Sequence, residues 1–204
     1  MEEKKTIIIR DEVVVNAAPA TCFIYCCLCF AFAASFFGIL GEGAGLAVGV
    51  LQLSVFVGYT IGAMYILKTG AGVGGNTFFV FATLFGGAGG ALSVAGALCQ
   101  HFGIPFASNL GNIVNIVSGG ILWVILYANR VASKTDFFII LFAAMGVSAC
   151  GLQGFVAPEL MGKIAGVTLL IDGIIVFYSS SIGFLGMSGV KVNYGKPFVN
   201  PDKK

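Results

Sequence analysis

Six runs almost free of charge, at about 20–40, 44–67, 75–99, 109–129, 136–156 and 164–187, divide the chain, with short polar or glycine-rich segments between them. Each is close to the ~20 residues that cross a ~30 Å hydrocarbon core. The runs are too continuous for the alternation of a barrel strand, and isolated strands would leave backbone N–H and C=O groups unpaired in lipid. The pattern therefore predicts an all-α membrane protein with six transmembrane helices. Breakers mark the connections: GEG at 41–43, TGAGVGG at 69–75 and FGIP at 102–105. No tandem repeat of 20–50 residues is visible, which leaves one six-helix transmembrane domain over 20–187, a leader at 1–19 and a polar tail at 188–204. The leader segment TIIIRDEVVV has strand-like composition over only ten residues; its conformation is left open and it is expected at the membrane surface.

Composition supports the bilayer: 58% of the 204 residues are hydrophobic and 10% charged. MEEKK is mixed in sign and the first apolar run is long enough to remain as a helix, so no cleaved signal peptide is expected. Lys and Arg resist translocation. In a six-span arrangement Lys4, Lys5, Arg10, Lys68, Arg130, Lys134, Lys191, Lys196, Lys203 and Lys204 fall on one side, with Lys163 alone on the other. This asymmetry predicts cytoplasmic N- and C-termini, and the plasma membrane is the default location. A net charge of +2 without a basic cluster points away from nucleic acid.

Glycine is abundant, 30 residues, and much of it lies inside the spans. The pairs Gly45/Gly49, Gly58/Gly62 and Gly86/Gly90 put small residues on one helix face, where another backbone approaches closely. Packing within one bundle accounts for most of them; a groove facing a second subunit is the alternative. Cys22, Cys26 and Cys29 form a stripe on the first span beside Cys27. In lipid cysteine behaves as a small hydrophobe, and no His or carboxylate adjoins the stripe in sequence, so packing rather than metal binding is expected.

Ionisable groups inside the hydrocarbon carry the chemistry. Asp172, in LLIDGIIVFYSSS, lies about eight residues into the last run and shares a face with Ala165, Thr168, Val176 and Ser179. A carboxyl group in a low-dielectric surrounding resists ionisation, which makes Asp172 a candidate for reversible proton carriage; a purely structural hydrogen bond to another helix is the alternative. Glu42, in the first loop, is a surface carboxylate or part of an entrance. His101 has no Ser or Cys nucleophile placed to meet it, and no nucleotide, zinc or hydrolase motif occurs, so neither an enzyme nor a cofactor is expected. At the start of span one, in NAAPA, Pro19 suits a first helical turn. Asn16 lies one residue beyond the ideal cap and either caps loosely or meets a neighbour or solute; the helix N-terminus beside it is a candidate landing place for a small carboxylate, with an ordinary helix start as the alternative. GNTF at 75–78 opens span three, with Asn76 as a cap and Thr77 entering the helix.

These pieces resemble the succinate-acetate permease family, six-helix membrane proteins whose first helix opens with Asn-Pro-Ala-Pro-Leu-Gly. Asn16, Ala18 and Pro19 keep three of those positions, GNTF is intact, Glu42-Gly43 matches an Asp-Gly after helix one, and Gly173 and Tyr178 match a Gly and a Tyr five apart. The resemblance covers roughly 15–187. It implies a hexamer whose subunits each conduct acetate, in some members succinate, by proton coupling or channel-like passage. It also implies a hydrophobic constriction from helices one, three and five. The helix-one aromatic is Tyr25, and the helix-five position corresponds to Phe142. The helix-three aromatic falls on Phe85 with a one-residue gap, or on Gly86 without it. The chain departs where the family has a helix-two Gln, near Val57, with Gln52 too early to replace it; where the family has an acidic residue late in that helix; and at Asp172, where a small neutral residue is usual. The expectation is a transporter or channel for small monocarboxylates, with a passive channel for another solute or a non-transporting structural protein as alternatives.

Overall fold

The structure, a computed structural model, describes residues 16–199. The leader segment 6–15 and, of the basic residues that predict orientation, Lys4, Lys5, Arg10, Lys203 and Lys204 lie outside them. Six long helices carry the described chain: α1 Ala18–Phe36, α2 Ala44–Lys68, α3 Gly72–Phe102, α4 Asn109–Asn129, α5 Lys134–Leu152 and α6 Pro158–Met187. No strand occurs among the described residues.

Local chemistry fixes the helix ends. Pro19 sits in the first turn of α1, and Asn16 Oδ1 accepts from the Ala18 N–H at 3.0 Å. Helix α1 stops at Phe36, four residues short of the apolar run. Gly38 follows with φ 70°, a left-handed conformation that side-chain-bearing residues disfavour. Ser133 caps α5, accepting from the Asp136 N–H at 3.1 Å. Helix α6 begins at Pro158 rather than 164, and its exposed first turns carry the Glu159–Lys163 ion pair, 2.6 Å. The charged residues had hidden this early start. As a result Asp172 stands fourteen residues past Pro158, about 21 Å along the axis, at the centre of the helix and much deeper than the apolar run indicates.

The helices form a ring in the order α3–α2–α1–α6–α5–α4, closed by a thinner seam between α4 and α3. Small residues set the close approaches. A Cβ on Gly90 would lie 2.8 Å from the backbone nitrogen of Leu53, one on Gly49 2.9 Å from that of Val94, and one on Gly58 2.9 Å from Ile24 Cδ1. Gly62 packs on Thr21 and Gly119 on Ser148. The glycine pairs thus serve contacts inside the bundle, except Gly45, which has no atom within 4 Å of its hypothetical Cβ. Between Phe81 and Ala88 helix α3 widens into π turns, where Gly86 and Gly87 bring it against Phe56 of α2.

After α6 the chain folds back over the start of α5. Thr135 Oγ1 donates to Tyr194 O at 2.9 Å, Val199 N to Arg130 O at 3.1 Å, and the Phe198 ring meets that of Phe137 edge-on at 4.8 Å. Apolar side chains such as Val117 and Val124 of α4 and Ile174 and Phe177 of α6 point outward, as a lipid-facing surface requires.

Candidate functional site: an aromatic-floored vestibule

Antiparallel packing gathers the end of α1, the start of α2, the end of α3, the start of α4 and the end of α5 at one end of the bundle. There a cavity of about 610 Å³ enters between Phe32, Gly45, Gln100, Asn112 and Cys150. It reaches inward to Tyr25, Tyr59, Phe81 and Phe85. Tyr25 lies eleven residues from the last residue of α1, a depth of about 16 Å.

The inner end is an aromatic floor. The Phe81 ring centroid is 4.7 Å from that of Tyr25, 5.3 Å from Phe85 and 6.5 Å from Tyr59; Phe78 adds an edge-on contact with Phe81 at 5.9 Å. Tyr25, Tyr59 and Phe81 are buried. The wall above is apolar with a sparse set of neutral polar groups: Gln52, Ser93, Gln100, Ser108, Asn112 and Asn115. Among the described residues no Asp, Glu, Lys, Arg or His lines it. Such a surface offers hydrogen bonds to a small polar solute without a fixed charge, and the aromatic floor offers no substitute for a hydration shell.

Gln52 links the wall to the widened helix. Its Nε2 donates to the carbonyl of Phe85 at 2.6 Å, inside the π turns, and its Oε1 accepts from Ser93 Oγ at 3.2 Å. Gln52 therefore occupies the cavity wall, contrary to the expectation that it stands too early in helix two. Val57 faces outward, 58% exposed. A π bulge often marks a functional region because it turns a carbonyl toward a side-chain partner.

Asp172 is fully buried behind the floor, off the cavity wall. Its Oδ2 accepts from Tyr25 Oη at 2.6 Å, with Cys29 Sγ 3.9 Å away, while Oδ1 has no partner. Tyr25 and Cys29 both line the cavity and separate it from the carboxyl. The face of α6 shared by Ala165, Thr168, Val176 and Ser179 is buried, and Thr168 satisfies itself on Ile164 O at 2.7 Å. The cysteine stripe thus does meet a carboxylate, one that sequence distance concealed: Cys29 beside Asp172, and Cys26, whose Sγ donates to Gly173 O at 3.4 Å.

Of the residues singled out in the sequence, Tyr25 and Phe85 come together at the floor. Phe142 does not; it is half-buried on α5, whose contributions to the cavity are Val147 and Cys150. The floor comes from α1, α2 and α3, not from the first, third and fifth helices. Asn16, Pro19, Asn76 and Thr77 lie at the opposite end of the bundle. Asn76 does not cap α3, because the helix already starts at Gly72; its Nδ2 donates to Gly72 O at 2.8 Å. Thr77 Oγ1 donates to Val73 O at 2.8 Å, and the carbonyl of Pro19 accepts from Ser180 Oγ at 2.8 Å. Glu42 is exposed in the turn before α2 and is not among the lining residues. Tyr59, Phe81, Gln52 and Ser93 were not anticipated. The spacing of Phe78, Phe81 and Phe85 along one helix face was the available signal for the floor.

The arrangement of all six helices is shared with a protein of known structure. The chain has the fold of a bacterial acetate channel. It superposes on SatP with a TM-score of 0.74 over 88% of this chain and 97% of SatP, at 14% sequence identity. No protein-family model matches the sequence, and no curated protein matches it. At that identity the likeness to SatP is one of fold. Of the two helix-three residues that the resemblance left open, Phe85 lies on the floor and Gly86 against Phe56.

Proposed function

We propose that this chain is a membrane conduit, not an enzyme, that carries small monocarboxylates, acetate first, through the interior of each protomer. The observation that carries the proposal is the uncharged cavity ending on Tyr25, Tyr59, Phe81 and Phe85 at mid-depth of the bundle. Its fold, shared with the acetate channel SatP, supports the same reading. A water takes about 30 Å³ of liquid, so the vestibule has room for about twenty waters, ample for a short carboxylate with part of its hydration shell. The solute sheds that shell at the aromatic floor, which holds back hydrated inorganic ions. Succinate, with a second carboxyl group to dehydrate, passes less readily. Assembly as a hexamer, residence in the plasma membrane and cytoplasmic termini belong to the proposal; the outward apolar faces and the distribution of Lys and Arg are consistent with them.

In this scheme transport is linked to protons. Asp172 exchanges the accompanying proton with the solute path through the Tyr25 hydroxyl, to which it is directly bonded. A passive channel is the second reading, favoured by the position of Asp172 behind Tyr25 rather than on the wall. Isotope-labelled acetate uptake and internal pH, followed together in proteoliposomes with and without an inward proton gradient, separate the two. The linked scheme expects the gradient to accelerate wild-type uptake and Asp172→Asn to lose that acceleration while remaining folded. Acceleration that persists in Asp172→Asn removes Asp172 from proton transfer, and uptake no faster than in protein-free liposomes rejects the conduit itself.

A further inference from the structure

Two buried side-chain polar atoms among the described residues have no hydrogen-bond partner: Asp172 Oδ1 and the hydroxyl of Tyr59. Tyr59 has no exposed surface, and its ring is packed by Phe78 at 6.0 Å and Phe81 at 6.5 Å. A phenylalanine would fill the same space without burying an unpaired O–H, which is costly in an apolar surrounding. Packing therefore accounts for the ring but leaves the oxygen unexplained.

The other hydroxyls of the cavity wall narrow what the oxygen is for. That of Tyr25 is committed to Asp172 at 2.6 Å and that of Ser93 to Gln52 at 3.2 Å. A solute that has left the amides of the mouth meets Leu28, Phe81 and Phe85 at the inner end of the cavity. Tyr59 lines the same end and holds the one uncommitted hydroxyl there. We propose that Tyr59 is the inner binding residue of the path, its O–H donating to a carboxyl oxygen of the monocarboxylate as the solute enters the aromatic floor. The proposal rests on the conduit reading above and adds its recognition step. A neutral phenol suits that step, because it offers one directional hydrogen bond without the fixed charge that would retain an anion.

Tyr59→Phe tests this with two measurements on the full chain. Thermal unfolding of the purified protein, without and with sodium acetate, asks whether the hydroxyl has a structural partner and whether acetate binds through it. Labelled acetate uptake in proteoliposomes, as a function of acetate concentration, asks whether transport uses it. The expected result is an unfolding midpoint without acetate equal to or above that of wild type, together with a half-saturating acetate concentration raised about tenfold, the worth of one hydrogen bond to a charged group. Acetate should raise the midpoint of wild type and much less that of the variant. A midpoint lowered by several degrees without acetate assigns the hydroxyl to the fold and overturns the proposal, as does an unchanged concentration dependence in an actively transporting variant. If wild type takes up no acetate yet its midpoint rises with acetate in a Tyr59-dependent way, the binding role stands and the transport reading fails.

Discussion

The bond between Tyr25 and Asp172 joins helices 147 positions apart in sequence and is isolated enough to dissect by substitution. Tyr25→Phe removes the donor and leaves Oδ2 as bare as Oδ1, at a cost of about 1–3 kcal/mol for a buried group stripped of its partner. Asp172→Leu keeps a side chain branched at the γ-carbon but strands the Tyr25 hydroxyl, at a similar cost of about 1–3 kcal/mol. Cys29 Sγ, 3.9 Å from Oδ2, is a weak donor and does not replace the phenol. In the double variant no unpaired polar atom of this pair remains, and the apolar rings and methyls fill the same space, so its stability should return close to wild type. At about 2–4 °C per kcal/mol for a chain of this size, each single variant lowers the unfolding midpoint by roughly 5 °C and the double by less than about 2 °C. The only tryptophan, Trp123, reports unfolding by its fluorescence, since its Nε1 donates across α4–α5 to Ser148 at 3.2 Å. A double variant destabilised by the sum of the two singles would show that the residues act independently and would refute the reasoning.

Other consequences can be measured alongside. Phe81→Ala removes the ring at the centre of the floor; it should lose about 3–5 kcal/mol of stability yet speed initial acetate uptake, and an unaltered rate in folded protein would take Phe81 out of the barrier. Gly90→Ala forces a Cβ to 2.8 Å from the Leu53 backbone nitrogen and should cost about 1–3 kcal/mol in thermal unfolding. Gly120→Ala, with no atom within 4 Å, should gain up to about 1 kcal/mol from helix propensity; the opposite ranking would contradict the α2–α3 contact.

The spans were legible because lipid demands long uncharged runs, and that demand acts on sequence locally. Helix ends were less legible: Gly38 ends α1 inside an apolar run, while Glu159 and Lys163 begin α6 outside one. Asp172 stood out as a lone acid in an oily segment, but the sequence carried no sign that its partner would be Tyr25. Gln52 stands too early in the sequence to match the family's helix-two Gln, whereas its place on the cavity wall depends on how α2 lies against the π turns. Phe142 answers to the family's helix-five position by resemblance alone, and it does not line the cavity. The floor residues Tyr59 and Phe81 look like ordinary core aromatics in one dimension; only the crossing of α2 with α1 and α3 makes them neighbours of Tyr25.

The wide turns of α3 give that helix a place where its length can change. In an ordinary α-helix each residue advances about 100° and 1.5 Å, and a π turn takes up an extra residue within the helix. Deleting one residue between Phe81 and Ala88 would let the helix regularise with Leu92 and Ser93 still directed at the cavity, at the expense of the widened turn whose Phe85 carbonyl accepts from Gln52. The same deletion in the regular turns on either side would swing everything beyond it by nearly a third of a revolution, so natural variation in the length of α3 should gather in this stretch.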